Sequence, residues 1–479
     1  MSPDIGLVKH ARNVLWGEPP PTHQERKLLF KIDWFVLSFV CLQYVSYLDR
    51  ANLANAYVSG MKEALNMTGH DFNNVNSMFT VGYTVAQIPQ NLLLHVVPAR
   101  ILFPINTLSW GCLTMLTAAA TNVRHLYVIR FFQGMAEAST FVGAVSLGSW
   151  YKESELGKRG AIFSSSAQVA TIFSGVLQAS IYQHLNGLHG LAGFRWLFII
   201  CGAITVPIAL YGFLFFPDTP ETTSARYFSP EERKLAISRL PPKPKTRLDM
   251  SLIHRVLGRW RIYAMCTIWY IVGGELESIG SNSLMALWMK ASVELKYTVQ
   301  NINYYPAGGT AVAIVALLGT AVWTDYTNKR YQVNILIAAC MLLSSVILLV
   351  YTPISTAGKF FAFYLSGVSY AGQASNFGWA NDIARDDDQE RSVILGAMNM
   401  MSNAFNAWWP IVFFPANEAP RWRKGMISII VLAPIMVIIT IAARIQQLED
   451  LRRERRGSHG ASEVEQIPAG DTKEEGQSN

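Results

Sequence analysis

Apolar residues along this 479-residue chain gather into runs separated by short polar breaks. The runs are about 20 residues long, the length that spans about 30 Å of hydrocarbon as a helix, so each reads as a transmembrane segment. Six lie near 33–56, 72–95, 101–121, 126–148, 161–184 and 196–216. A break dense in charge and proline follows over 217–261, and six more runs lie near 262–289, 303–323, 332–351, 358–381, 392–414 and 426–445. Within the break, Ser229 followed by Pro230 predicts the start of a short amphipathic helix running to Leu240. Serine accepts from a free backbone N–H, and proline suits the first helical position.

The pattern predicts an all-α polytopic membrane protein with twelve transmembrane helices in two six-helix bundles. Its expected parts are an N-terminal tail (1–30), a first bundle (31–216), a linker (217–261), a second bundle (262–446) and a disordered tail (447–479). The lipid bilayer is the implied partner, and a monomer is expected.

Composition agrees. The chain is 51% hydrophobic and 15% charged, against about 25% charged in a soluble domain, which excludes a soluble enzyme. All five cysteines (Cys41, Cys112, Cys201, Cys266, Cys340) fall inside apolar runs, so neither a disulfide framework nor a metal site is indicated. The net charge of +7 is spread over loops, a distribution that does not suit nucleic acid. Loop Lys and Arg favour the side of the termini and linker about threefold, which predicts that side to be cytoplasmic. Asn66-Met67-Thr68, a glycosylation sequon, falls in a loop on the opposite side. Residues 1–30 lack a signal peptide's short apolar core, so the first run is expected to act as an uncleaved anchor. The plasma membrane is the expected location.

Charges inside apolar runs need a reason, because each costs at least about 2.5 kcal/mol at mid-membrane on insertion scales. The chain carries Asp49 and Arg50 in the first run, Arg130 and Glu137 in the fourth, Glu275 and Glu277 in the seventh, and Asp382 at the edge of the tenth. Arg130 and Glu137, two turns apart, share a face about 10.5 Å apart along the axis. That stripe suits a cavity in which Arg130 holds an anion and Glu137 binds a proton. Asp49 and Arg50 are rotated about 100° from each other. Arg50 with Asn52 and Asn55 gives a further substrate-facing strip, and the alternative sets Asp49 and Arg50 at the outer headgroups. Gly273-Gly274 beside Glu275 and Glu277 predicts a helix broken at a water-filled cavity, with these carboxylates as further proton carriers. Gln373 and Asn376 in the tenth run, and Asn399 and Asn403 in the eleventh, are candidates for the other half of the site. The nine histidines lie in loops, tails or span edges, which leaves no constellation for membrane-embedded catalysis.

Three motifs occur in order and carry a resemblance. Asp49-Arg50-Ala51-Asn52-Leu53-Ala54-Asn55-Ala56 is similar to a D-R-x-N-x-x-N-A stretch. Arg130-Phe131-Phe132-Gln133-Gly134-Met135-Ala136-Glu137-Ala138 is similar to an R-F-x-x-G-x-x-E-A signature. Phe216-Pro217-Asp218-Thr219-Pro220-Glu221 opens a similar central linker. Together they resemble the fungal anion:cation symporter (allantoate permease) branch of the major facilitator superfamily. Gly148-Ser149-Trp150-Tyr151 and Tyr370-Ala371-Gly372-Gln373 bring the chain nearest to its pantothenate permease subgroup. The resemblance implies proton-coupled symport of a small organic carboxylate, driven by a proton gradient with no cofactor. Carriage of a fungal secondary metabolite or its precursor is the rival reading, and a non-transporting nutrient sensor the third. The family's acidic loop between the second and third helices is degraded here to Leu94-His95-Val96-Val97-Pro98-Ala99-Arg100. Its counterpart retains Asp325 and Arg330, which implies a gating role for that pair.

Overall fold

A computed structural model describes residues 22–45, 48–94, 96–138, 149–240, 250–280, 282–292, 295–327 and 329–464, which contain helices and turns and no strand. The first half comprises α1 (His23–Ala64), α2 (Asp71–Leu93), α3 (Ala99–Thr117), α4 (Val123–Glu137), α5 (Glu153–Leu185) and α6 (Gly193–Phe215). The linker holds α7 (Pro230–Ser238) and α8 (Met250–Leu257). The second half begins with α9 (Trp260–Trp269), which continues through a π-helical stretch, Tyr270–Leu276, into Glu277–Gly280. It goes on through α10 (Asn282–Ala291), α11 (Val299–Tyr304), α12 (Ala307–Thr327), α13 (Tyr331–Val350), α14 (Thr356–Ser366), α15 (Gly372–Ile383), α16 (Asp388–Phe413) and α17 (Arg423–Val464).

Among the described residues, five helices are long and apolar enough to cross a membrane: α1, α6, Val299–Thr324, α13 and Arg423–Arg453. Others, such as α2 with Asn73, Asn76, Thr80, Thr84 and Gln87, carry more polar residues because they face other helices rather than lipid. α17 continues as helix to Val464, past the expected start of a disordered tail at 447. The part of the fourth run over 139–148 lies outside the described residues.

Within the first half α2 packs along α4 and α3 along α6. Gly134 makes the first pairing close, since a Cβ there would lie 2.1 Å from the Phe79 carbonyl oxygen. The two halves meet where α5 lies against α11 and α12, and α2 against α16. One apolar core runs through both halves, joining Tyr57, Phe72 and Leu126 to Leu284, Trp288 and Trp422. A separate core (Leu28, Phe39, Phe103, Trp150, Phe228) closes the linker end of the first half.

α7 starts where the sequence predicts. Ser229 Oγ accepts from Glu232 N (3.1 Å), and the Glu232 carboxylate accepts from Ser229 N (2.9 Å), a reciprocal cap. Lys31 Nζ donates to that carboxylate (2.8 Å) and to Tyr227 O (2.8 Å), which docks the linker on α1. Burial pushes Glu232 up, but the hydrogen bonds from Lys31 and the Ser229 amide outweigh it and hold the carboxyl below its usual range. The linker also supplies the acid that the loop before α3 lacks. Asp218 Oδ1 accepts from Ala99 N (3.3 Å), and Asp218 O accepts from Trp150 Nε1 (3.0 Å).

Candidate functional site

The intramembrane charges of α1 and α4 form one network. Arg50 Nη2 lies 2.6 Å from Glu137 Oε1. Arg130 donates from both terminal nitrogens to the Asp49 backbone carbonyl, at 3.4 Å each. The Asp49 carboxylate accepts from Asn52 Nδ2 (2.8 Å) and from Thr114 Oγ1 (2.6 Å). Gln133 Nε2 donates in turn to Thr114 (2.9 Å). Asp49 is 2% exposed and lies inside the packed helices. The close α2–α4 contact sets aromatic faces beside the cations: Arg50 lies 4.9 Å from the Phe79 centroid and 5.0 Å from Tyr83, and Arg130 lies 5.9 Å from Phe79.

Exposure ranks the two arginines. Arg130 is 2% exposed, whereas the Arg50 side chain is 27% exposed and its partner Glu137 is fully buried. Arg50 is thus the more exposed of the two arginines in this structure. Arg50 also spans the two-turn gap that separates Arg130 from Glu137. Asn52 and Asn55 are buried and bonded to α5. Ser174 Oγ on α5 donates to Asn52 Oδ1 (2.6 Å) and accepts from Asn55 Nδ2 (2.8 Å).

The second half is built differently. The helix at Gly273-Gly274 is not broken but wound as a π-helix, and Asn406 Nδ2 of α16 caps the Gly273 carbonyl (3.0 Å). Glu275 is fully buried with neither carboxylate oxygen hydrogen-bonded. Its polar neighbour Ser428 donates instead to Gly425 O (2.8 Å). Glu277 Oε1 likewise lacks a partner. An aromatic ladder faces this stretch: Tyr270 meets Phe405 edge-on (4.2 Å), Phe405 stacks on Trp409 (4.3 Å), and Trp409 stacks on Phe413 (3.9 Å).

Asn376 is 1% exposed and exchanges amide hydrogen bonds with Asn334, 2.9 Å in each direction. Asn403 donates to Asn399 O (2.8 Å), and the Asn399 amide nitrogen is buried without a partner. Gln373 is half-buried on the same helix as Asn376. Arg330 Nε donates to Asp382 Oδ2 (2.7 Å), which ties the α12–α13 turn to α15; the Asp325 side chain lies outside the described residues. Asn66 is exposed in the turn after α1. A cleft of about 340 Å³ opens at the linker end beside Arg261, Asp382 and Asp450, next to the Arg330–Asp382 pair. Among the described residues no three His, Cys, Asp or Glu side chains group as metal ligands.

Thr114, Gln133, Ser174, Phe79 and Tyr83 are network members that the sequence reading missed. Gln133 lies inside the quoted R-F-x-x-G motif, while the others sit on helices whose packing against α1 and α4 has no local signature.

Helices that bury paired charges at mid-length, in two halves joined by a soluble linker, define a polytopic solute carrier. The chain belongs to the Major Facilitator Superfamily, which matches residues 39–410; it is a multi-pass membrane transporter and not an enzyme. Pantothenate transporter liz1 of Schizosaccharomyces pombe is 44% identical over 436 residues, covering 90% of this chain and 84% of that protein. Pantothenate transporter FEN2 of Saccharomyces cerevisiae is 45% identical over 440 residues, covering 89% and 85%. The crystal structure of a bacterial homolog of the human lysosomal transporter Spinster, inward-facing and unoccupied, has a TM-score of 0.66 at 13% identity, over 87% of this chain and 98% of that one. At that identity the likeness speaks for the fold alone.

Proposed function

We propose that this protein is a proton-coupled symporter that carries pantothenate, or a small carboxylate like it, across the plasma membrane. Twelve spans in two bundles (31–216 and 262–446), with both termini and the linker in the cytoplasm, are part of this reading, as is a monomeric state. Two pantothenate transporters at 44% and 45% identity support the substrate. The observation that carries the mechanism is the Arg50–Glu137 pair, accessible on the cation side and buried on the carboxylate side.

A substrate carboxylate arriving at Arg50 competes with Glu137 for the same guanidinium. The planar fork of Arg50, held against the faces of Phe79 and Tyr83, receives the anion. Glu137, released from its partner in a dry environment, then favours its neutral form and takes up a proton. Substrate and proton therefore promote each other's binding, which is the thermodynamic requirement for symport. Arg130 and Asp49 hold α1 and α4 in the register that makes the exchange possible.

The test is uptake of radiolabelled pantothenate in cells lacking their own permease. Glu137→Gln keeps the shape of the protonated state, so exchange of labelled for unlabelled substrate should persist while acid-driven accumulation is lost. Undiminished accumulation by this variant at acidic external pH would place the coupling proton elsewhere.

A further inference from the structure

Several polar contacts tie the halves together at the end away from the linker. Lys290 Nζ lies 2.9 Å from Glu63 Oε1 and donates to Tyr57 O (3.1 Å), and Asn303 Nδ2 donates to Ser59 Oγ (3.1 Å). The Glu63 side chain is 61% exposed, so solvent screens that ion pair and its contribution is small. Asn73, near the start of α2, differs in kind. It is 5% exposed and makes three hydrogen bonds to backbone of the other half. Nδ2 donates to Pro410 O (3.0 Å) and to Phe414 O (3.1 Å), and Oδ1 accepts from Ala416 N (2.9 Å).

Two of these backbone groups, Phe414 O and Ala416 N, lie beyond the last helical bond of α16, whereas Pro410 O also accepts from Phe414 N (3.1 Å). A helix end has carbonyls without helical partners, and the short turn Ala416–Glu418 that follows begins with a free N–H. Here the cap comes from the opposite bundle. The cap can form only when α2 and α16 are together, so each opening of this end strips it away.

We propose that Asn73 is a trans-acting cap on α16 that clasps this end of the transporter shut and sets how often it opens. It is a positioning residue of the transport cycle, and its action does not depend on which solute is carried. Breaking three buried hydrogen bonds and rewetting their groups outweighs the loss of the exposed Lys290–Glu63 pair.

The experiment uses purified full-length protein in detergent carrying Ser77→Cys as a reporter. Ser77 lies one turn from Asn73 on the same helix and is 7% exposed, so a bulky maleimide reaches it only when α2 and α16 part. The parent protein without the reporter corrects for labelling of the native cysteines. Asn73→Ala should raise the labelling rate about 10-fold or more; an unchanged rate overturns the proposal. Ala416→Pro removes the N–H from the other half without touching Asn73, and it decides the matter if Asn73→Ala does not accumulate. It should also speed labelling, and the double variant should be no faster than the faster single variant, since both break one clasp. Fully additive acceleration would mean that the two residues act separately, and would equally overturn it.

Discussion

The two halves of this transporter treat buried charge in opposite ways. In the first, Asp49, Arg50, Arg130 and Glu137 lie on two helices, and their opposite charges and backbone dipoles answer one another. In the second, Glu275 and Glu277 stand without cations, beside a π-helical turn and an aromatic ladder. An ionised carboxylate without a partner costs far more in a dry interior than a neutral one. The proposed mechanism places the exchange of one anion for another in the first half. The second half supplies shape, apolar surface and carboxyl groups with no cation beside them among the described residues. On the proposed mechanism the carrier needs a cation that can pass from one carboxylate to another, the part given to Arg50.

Substitutions can break or sharpen this contrast. The largest effect is expected at Arg50. Arg50→Gln should abolish pantothenate uptake and destabilise the purified protein by up to about 3 kcal/mol, because Glu137 must then either take up a proton or remain a buried, unpaired charge. Adding Glu137→Gln should restore thermal stability but not uptake; if the double variant melts as low as the single, the pair is not the source of the loss.

Arg130→Lys comes next. A lysine ammonium cannot reproduce two parallel donations to the Asp49 carbonyl. A loss of about 1.5–3 kcal/mol in stability is expected, with the half-saturation constant for uptake moving less than in an Arg50→Lys variant. A larger shift in half-saturation at Arg130 than at Arg50 would reverse the order argued from exposure.

Glu275→Gln should change stability by less than about 1 kcal/mol, since it replaces a carboxyl that has no hydrogen-bond partner with an amide of the same shape. A strong destabilisation would show Glu275 to be ionised and paired, and would erase the difference between the halves.

The smallest effect lies at the linker. The Glu232 carboxyl is held below its ordinary value of 4.5, so the docking of α7 on Lys31 is at full strength above that pH and weakens as pH falls through the lowered value. Amide exchange of α7 in purified protein should rise on acidification, and Lys31→Ala should remove that dependence. The same pH response with Lys31 absent would mean that another group holds the helix.

The residues of the charge network were legible in the sequence because charge inside an apolar run is costly and so stands out. Asp49, Arg50, Arg130, Glu137, Glu275 and Glu277 were all found that way. Their partners were not. Spacing along α4 put Arg130 and Glu137 on one face and suggested that they act together, but a residue of another helix, Arg50, occupies the position beside Glu137. Asn52 and Asn55 looked like a substrate strip, because polar residues on one face look alike whether they meet water or Ser174. The glycine pair at 273–274 signalled an irregular helix, yet its form as a π-turn depended on Phe405 and Asn406 packing against it.

What the sequence determined alone is what local physics governs. Helices in a bilayer satisfy their own backbone hydrogen bonds, so the length and polarity of each run decide where the segments lie. Ser229 and Pro230 start α7 by the same local logic. What the tertiary structure decided is who meets whom: Gly134 lets α4 close on Phe79 and Tyr83, Asp218 replaces a missing loop acid, and Asn73 caps a helix 337 residues away. Those pairings depend on the distance and angle between helices. Both are set by side chains far apart in the chain, and no window of neighbouring residues contains them.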